Sequence, residues 1–364
     1  MAKQTTAYVG LGSNLGDRDL AIRTALKMLA EADQIELACA SDIIETGPLG
    51  QADQPQYLNA VAKVGTTLDV ESLYEALADT EGRLGRRRDG KWTSRPIDLD
   101  LLLFGQEVID LPHLTVPHRQ MHVRSFVLVG LCQLTPDLLH PTIKVSVREL
   151  AGRLAGRDFV LDPHRPQLIS VAGIIGAGKT TLARKLASAL GCQMLAEPYD
   201  ENPFLPQVYA GRKELALESQ LFFLNGRVRQ LNGSTFARGR VAITDYVFDK
   251  EFVYARRLLD PQQLASYQRR FAHLAAGVPS PVLVIYIQDS PRHCLNRIHK
   301  RNRPYEQVIG LPFLEALDSD YEQLFADWKA CPVIRIETSD LDYADEASID
   351  RLASQIRHYV ATAP

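Results

Sequence analysis

Gly173-Ile-Ile-Gly-Ala-Gly178-Lys179-Thr180-Thr181 decides the fold of the second half of this chain. The run has the spacing G-x-x-x-x-G-K-[ST]. An apolar stretch, Leu168-Ile169-Ser170-Val171-Ala172, precedes it, and a helical pattern from Thr181 to Leu190, closed by Gly191, follows. Strand, glycine-rich loop and helix in that order make a phosphate-binding loop. Glycines 173, 176 and 178 let backbone N–H groups turn inward on phosphate oxygens, and the helix N-terminus adds a favourable dipole. On this reading Lys179 reaches the β- and γ-phosphates of ATP, Thr180 ligates Mg²⁺, and Thr181 completes the ATP-binding run. The expected fold of this half is a parallel α/β sheet of the P-loop type.

The loop opens only the second half, so other chemistry occupies the first. At 364 residues the chain has room for two or three domains, each with its own core. Hydrophobic content of 46 % and charged content of 23 % are ordinary for a soluble globular protein. A net charge of −3, with no basic stripe interleaved with aromatics, gives no sign of a nucleic-acid partner. No apolar stretch approaches transmembrane length, so no membrane is expected. The five cysteines (39, 132, 192, 294 and 331) are scattered, without a C-x-x-C pair. That pattern argues for a reducing compartment, and the strand-like start at Ala7 leaves no room for a signal peptide. The cytoplasm is the expected location.

The seam lies in Gly156 to Gln167, which ends a helical pattern (Val147 to Leu154) and carries Pro163 and Pro166. The expected division is a domain over 1–158, a linker over 159–167 and a second domain over 168–364. Before the seam, patterning predicts helices near 17–31, with Asp17 as N-cap, and 70–83. It predicts strands near 6–11, 35–45, 57–67 and 97–104, a mixed α and β half. After the seam, strands near 168–173, 241–245, 282–287 and 333–336 alternate with helices. Ile349, Leu352, Ile356 and Val360 give the tail, about 344–361, an amphipathic helical spacing.

In the first half, Asp98 and Asp100 sit two apart on a strand pattern, which aims both at one face with Ile97, Leu99 and Leu101 on the other. Adjacent carboxylates repel unless a cation lies between them, and oxygen ligands suit Mg²⁺. A solvated strand end would look the same. Arg86, Arg87, Arg88, Arg95 and Arg124 supply guanidinium groups for phosphate, Trp92 supplies a stacking face, and His118 follows Leu114-Thr-Val-Pro117. Singly, the histidine reads as structural and the arginines as a solvated surface. As a set they describe a place where metal ions and arginines neutralise a polyphosphate.

Here the sequence resembles the 6-hydroxymethyl-7,8-dihydropterin pyrophosphokinases of folate biosynthesis. The resemblance runs through Tyr8-Val-Gly-Leu-Gly-Ser-Asn-Leu-Gly16-Asp17, Glu45-Thr-Gly-Pro-Leu-Gly50, Gln54-Pro-Gln-Tyr-Leu-Asn59, Arg95-Pro-Ile-Asp-Leu-Asp100, Leu114-Thr-Val-Pro-His118 and Arg124-Ser-Phe126 to His140-Pro141. It implies a ferredoxin-like fold that transfers pyrophosphate from ATP to the pterin hydroxymethyl group. It places two Mg²⁺ on Asp98 and Asp100, and the pterin among Thr46, Leu49, Tyr57, Asn59, Trp92 and Phe126. ATP falls to Arg86, Arg88, Arg95, Thr115, His118 and Arg124, with Arg86 and Arg95 also counted as catalytic. Two departures, Thr93-Ser94 where Gly-Pro is common and His113 where a basic arginine is known, remove nothing the chemistry needs.

In the second half, Glu197 of Ala196-Glu197-Pro198-Tyr199 stands at a strand end, where a carboxylate can accept a proton from an attacking hydroxyl or merely cap a helix. Gln220 and Arg227 are two helical turns apart and project from one face. A Gln amide offers donor and acceptor to a nucleobase edge. Arg297, Arg301 and Arg303 read either as a solvated basic helix or as a lid over phosphates. These features resemble the deoxynucleoside kinases, particularly bacterial deoxyadenosine/deoxyguanosine kinases, over about 168–343. The resemblance implies γ-phosphate transfer to a nucleoside 5′-hydroxyl, with Glu197 as base and Tyr209 and Glu306 on the sugar 3′-hydroxyl. It gives Gln220 to the base, Arg297, Arg301 and Arg303 to the lid, and one Mg²⁺ to Thr180 and Asp245. Asp249 beside Arg227 is the expected base-recognition pair, and a homodimer is expected because kinases of this type often form one. One departure matters: Tyr246 stands where the family has an arginine after its acidic residue. That leaves two rival readings of this half, a nucleoside monophosphate kinase and a non-catalytic nucleotide-binding regulatory domain. For the first half the rival is a degenerate pterin-binding module.

Overall fold

The computed structural model describes residues 4–49, 54–86, 94–232 and 240–361. The chain divides into two compact units, Met1–Val160 and Leu161–Pro364. The Phe159 N–H donates to Val123 O at 2.9 Å and its ring packs on the core of the first unit, while Gln167 already opens a strand.

The first unit runs β1 (Thr5–Ser13), α1 (Arg18–Glu31), β2 (Ile35–Ala40), β3 (Ile44–Thr46), β4 (Tyr57–Thr66), α2 (Val70–Arg83) and β5 (Asp98–Phe104). It continues through a hairpin, β6 (Ile109–Leu111) and β7 (Leu114–Val116), to α3 (Ser125–Leu134) and α4 (Val147–Leu154). Asp17 and Asp69 start α1 and α2 by accepting the Leu20 and Ser72 N–H groups at 3.0 and 2.8 Å. The antiparallel sheet has the order β2-β4-β1-β5, with β3 also on β4, which is the ferredoxin-like arrangement. Ile22, Ala25 and Leu29 of α1 and Leu73 and Leu77 of α2 cover one face, against Val9, Leu11 and Leu99. Val127, Leu128 and Leu131 of α3, with Leu150 and Leu154 of α4, cover the other. Burial on both faces explains why β5 reads as an unbroken apolar run after Asp100.

The strand expected over 35–45 is two strands. At the break, Ser41 substitutes its hydroxyl for a backbone acceptor: Oγ takes the Val61 N–H at 2.9 Å, while the Ser41 N–H donates to Val61 O at 2.8 Å. The β6–β7 hairpin was not expected, since three-residue strands are too short to show a period.

The second unit contains β8 (Gln167–Ala172), α5 (Lys179–Leu190), β9 (Gln193–Leu195), α6 (Leu205–Tyr209), α7 (Ala216–Leu231), β10 (Val241–Thr244) and α8 (Lys250–Leu258). Then come α9 (Pro261–Leu274), β11 (Leu283–Gln288), α10 (Pro291–Arg301), α11 (Leu311–Ala326), β12 (Val333–Glu337) and α12 (Glu346–Arg357). Its sheet is parallel, in the order β12-β11-β8-β10-β9. Every residue of central β8 is buried. The chain passes from β8 outward to β9, returns to β10, then crosses to β11. In open parallel sheets such a reversal leaves a crevice at the strand C-termini, and ligands bind there. The loop after β8, Glu197 beyond β9 and Asp245 beyond β10 all lie at that end. The tail helix stops at Arg357, short of the expected 361; Ile349, Leu352 and Ile356 are buried on it and Tyr359 fills the space beyond.

The loop after β8 tolerates glycine alone at 176. A Cβ there would lie 2.5 Å from the Cys294 carbonyl oxygen, at φ +85. Gly191, also left-handed (φ +64), has open space around it. Gly176→Ala is therefore expected to destabilise the second unit by roughly 1–3 kcal/mol or more, and Gly191→Ala by only about 1 kcal/mol. Denaturant unfolding of the two variants checks the ranking.

Candidate active sites

In the first unit, strand register assembles the site. Gly10 and Gly12 of β1 stand opposite Asp100 and Asp98 of β5. Leu11 and Leu99 between them point into the core under α1 and α2, so the glycines and aspartates share the other face. A side chain at 12 would lie 3.2 Å from Asn59 Oδ1, and its absence leaves the floor open. Above that floor is a cavity of about 230 Å³ lined by Thr46, Leu49, Tyr57, Asn59 and Phe126 on one side of the chemistry, and Arg86, Arg95, Asp98, Asp100 and Arg124 on the other. Asn59 Nδ2 donates to Thr46 Oγ1 at 2.7 Å, and the Tyr57 hydroxyl donates to Gln54 Oε1 at 3.2 Å. Trp92 and Arg88 lie outside the described residues.

Asp98 accepts from Arg86 and, at 2.9 Å, from Arg95 Nη1. Asp100 accepts from Arg124 Nη1 at 3.2 Å, and His118 Nε2 lies 3.9 Å from it. Burial and the charge of Asp100 push the Asp98 carboxyl up to about 6 despite its arginine partners. The repulsion thus outlasts the guanidinium groups, and a divalent cation between the carboxylates would relieve it. Two carboxylates and substrate oxygens suffice for Mg²⁺, so this pair fits that ion. Burial lowers the His118 pKa and so favours its neutral ring. Thr115 does not line the cavity: it donates to Asp110 Oδ1 at 3.3 Å across the β6–β7 hairpin.

Two residues given no role from sequence hold the constellation. Glu81, 2 % exposed near the end of α2, accepts the Leu99 N–H at 2.7 Å and pairs with Arg86. One carboxylate therefore fixes β5 and aims an arginine at Asp98. Asn14 Oδ1 accepts the Arg95 N–H at 2.8 Å. Asn14 was legible as part of a motif, whereas Glu81 on an amphipathic helix gave no signal.

In the second unit Gly173, Gly176 and Gly178 all have positive φ. Lys179 Nζ folds back on Ile174 O at 2.8 Å. Thr180 Oγ1 donates to Asp245 Oδ2 at 2.6 Å, and Asp245 Oδ1 accepts the Glu197 N–H at 2.8 Å. A hydroxyl and a carboxylate in contact at the loop fit a single Mg²⁺ shared with phosphate. Thr181 is exposed in the first turn of α5. Glu197 accepts from Arg227 and, at 2.7 Å, from Lys250 Nζ. Burial alone would raise its pKa, but the two cations hold it down to about 2. Lys179 is lowered to about 8 by burial and by the neighbouring Lys250.

Gln220 and Arg227 are both buried on α7, with Phe223 beneath the guanidinium at 5.0 Å. The expected partner of Arg227 is corrected. Asp249 is exposed and lines a separate groove with Phe252, Arg256 and Trp328. The residue that meets Arg227 is Glu251, fully buried, which also accepts the Tyr267 hydroxyl. Two residues turn a helix by about 200°, which is why 249 faces outward and 251 inward. Tyr209 and Glu306 come together: the Tyr209 hydroxyl is 3.1 Å from that of Tyr199, its ring stacks on Tyr305, and buried Glu306 accepts Arg301 Nε at 3.0 Å and Arg303 Nη1 at 3.5 Å. Arg303 also donates to Asp200 at 3.0 Å. Arg297 stands apart from these and braces the loop, donating to Gly176 O at 2.7 Å while pairing with Asp289.

Each half of the chain matches a known family. The deoxynucleoside kinase family model matches residues 169–361, and the 7,8-dihydro-6-hydroxymethylpterin-pyrophosphokinase model matches residues 8–136. A deoxyguanosine kinase of Bacillus subtilis is 35 % identical over 200 residues, covering 53 % of this chain and 97 % of the relative. A 2-amino-4-hydroxy-6-hydroxymethyldihydropteridine pyrophosphokinase of Haemophilus influenzae is 39 % identical over 155 residues, covering 43 % of this chain and 96 % of the relative. One from Pseudomonas aeruginosa is 44 % identical over 134 residues, 37 % of this chain and 83 % of its own. The chain belongs to both families. It is a fusion enzyme, a folate-pathway pyrophosphokinase followed by a deoxynucleoside kinase. Among solved structures, a deoxyadenosine kinase from M. mycoides with bound dATP covers 52 % of this chain and 99 % of its own at 24 % identity, with a TM-score of 0.46.

The kinase unit keeps its charges paired, and that sets a stability test. Removing Glu251 leaves buried Arg227 with one carboxylate instead of two and strips the Tyr267 hydroxyl of its acceptor. Glu251→Ala is expected to cost about 3–5 kcal/mol, read as a lower denaturant midpoint for the second unit.

Proposed function

We propose that the cavity on β5 transfers pyrophosphate from ATP to the hydroxymethyl group of 6-hydroxymethyl-7,8-dihydropterin. The supporting observation is convergence: apolar and amide side chains (Leu49, Tyr57, Asn59, Phe126) meet paired carboxylates and three arginines in one cavity. Tyr57 and Phe126 line the space for the pterin ring, with Asn59 for its polar edge. Arg86, Arg95 and Arg124 turn from the aspartates to the triphosphate and stabilise charge developing on it. His118 stays beside Asp100 and donates or accepts according to its tautomer. Asp98 and Asp100 would hold two Mg²⁺, which would supply further neutralisation of the triphosphate. The chemistry is mostly alignment of the hydroxyl with the β-phosphorus.

For the second unit we infer a P-loop phosphoryl transfer from ATP to the 5′-hydroxyl of a purine deoxynucleoside. The loop N–H groups and Lys179 hold the phosphates, and Thr180 and Asp245 would hold one Mg²⁺. Glu197 accepts the hydroxyl proton. Tyr209 and Glu306 hold the sugar 3′-hydroxyl, and Gln220 with the Arg227–Glu251 pair reads the base. Arg301 and Arg303 cover the phosphates. Thr115 stays with ATP on family resemblance, Glu251 takes the place expected for Asp249 beside Arg227, and Arg297 braces the loop. All five cysteines are free thiols, and among the described residues no helix is long and apolar enough to cross a membrane. The first supports a reducing compartment, the cytoplasm; a homodimer rests on family habit alone.

Two variants separate the activities. Asp98→Asn with Asp100→Asn should reduce AMP release in the presence of the pterin by at least about 10³-fold and leave nucleoside phosphorylation intact. Lys179→Ala should do the reverse. Loss of both reactions from either variant, in a folded protein, would sink the assignment of independent sites. Glu197→Gln should lower nucleoside turnover by on the order of 10²–10⁴ with a much smaller change in nucleoside affinity. A panel of purine and pyrimidine nucleosides and their monophosphates, read as ADP formed, gives the acceptor class.

A further inference from the structure

The residue after Asp245 is a tyrosine, which offers the phosphate loop no cation. Tyr246 is buried, and its hydroxyl donates to Gln230 Oε1 at 2.8 Å, on the side of Ala196 rather than the phosphate loop. The cation that meets Glu197 comes from four residues further on. Lys250, the first residue of α8, is only 4 % exposed and its Nζ donates to Glu197 Oε2 at 2.7 Å. The ammonium also lies 5.8 and 5.4 Å from the ring centroids of Tyr246 and Tyr254.

A structural role explains this poorly. Arg227 already pairs with Glu197, so the carboxylate has a partner without Lys250. Burying a second cation beside it costs desolvation that the pair need not repay. The position suits a different purpose, because Glu197, which Lys250 meets, is tied through its N–H to Asp245, and Asp245 in turn takes the Thr180 hydroxyl of the phosphate loop. Six charged groups meet here: Lys179, Arg227 and Lys250 against Glu197, Asp245 and Glu251. They balance before a triphosphate arrives and need a mobile cation once it does.

We propose that Lys250 is a further catalytic residue, which leaves Glu197 Oε2 for a non-bridging oxygen of the γ-phosphoryl group when ATP binds. This rests on the deoxynucleoside kinase reading of the second unit. The exchange frees Oε2 to accept the proton of the 5′-hydroxyl. The new bond joins the 5′-oxygen to the γ-phosphorus, and the bond from that phosphorus to the β,γ-bridging oxygen breaks. ADP leaves with the electron pair, the hydroxyl proton resides on Glu197, and Lys250 keeps its own proton throughout.

The experiment compares Lys250→Met, Lys250→Gln and Lys250→Arg with wild type in the full chain, measuring ADP formed with ATP and a purine deoxynucleoside. Loss of a cation that acts on the transferring group should lower kcat by about 10²–10³-fold in the Met and Gln variants. The nucleoside KM should move by less than about threefold, because the acceptor contacts remain. Arginine, which keeps the charge, should recover kcat to within about tenfold of wild type. A Met or Gln variant with wild-type kcat overturns the proposal. So does a loss spread equally over kcat and KM that arginine does not rescue, since that marks a purely structural lysine. If the Met variant lacks a cooperative unfolding transition, the comparison of arginine with glutamine decides. Absence of wild-type turnover with any nucleoside overturns the kinase reading itself, and turnover with unaltered variants overturns Lys250 alone.

Discussion

Glu197 sits between Arg227 and Lys250, and that arrangement states the constraint under which both units are built. A site for polyphosphate needs a concentration of positive charge, and positive charge cannot be buried unpaired. Each unit meets this by holding its cations against its own carboxylates. Arg86 and Arg95 rest on Asp98, Arg124 on Asp100, Lys250 and Arg227 on Glu197, Arg301 and Arg303 on Glu306. The two cations hold the Glu197 carboxyl down to about 2, whereas burial and Asp100 keep the Asp98 carboxyl up at about 6. On the proposed function, a ligand that brings phosphate would exchange one set of pairs for another, with the charges already aimed when it arrives.

Two unlike sheets deliver these groups to a point by different means. In the antiparallel sheet the period of two does the work: Asp98 and Asp100 emerge on one face of β5, and Gly10 and Gly12 across from them leave the space empty. In the parallel sheet no strand face is available, because β8 is buried on both sides. The groups come instead from the C-terminal ends of β8, β9 and β10, where the reversal of strand order opens the crevice. Asp245 links all three, taking the Thr180 hydroxyl and the Glu197 N–H.

The departures from family pattern are explained by helix geometry more than by residue type. Asp249 is the right kind of residue on the wrong side of α8, and Glu251 occupies the inward position. Tyr246 turns its hydroxyl to Gln230, and Lys250, at the start of that helix, presents an ammonium to Glu197. Similar logic separates Arg297 from Arg301 and Arg303. The first lies a turn earlier on α10 and hooks the Gly176 carbonyl, whereas the others sit at the helix end where Glu306 folds back to meet them.

The sequence by itself determined both fold classes, the start of α1 at Asp17, the bounds of α2, the phosphate loop and the aspartate pair. Each is a local matter: a cap, a 3.6-residue or two-residue period, or a glycine spacing expresses itself within a dozen residues. Gln220 and Arg227 were legible for the same reason, being two turns apart on one helix. Contacts between distant segments were not. Nothing local marks Glu81 as the clamp on Leu99 and Arg86, Ser41 as the break in an edge strand, or Thr115 as turned toward Asp110. The pairing of Arg227 with Glu251, and of Lys250 with Glu197, joins α7 and α8 to the end of β9. Those partners are chosen by which side of each helix the packed core leaves facing inward, and only the tertiary structure fixes that.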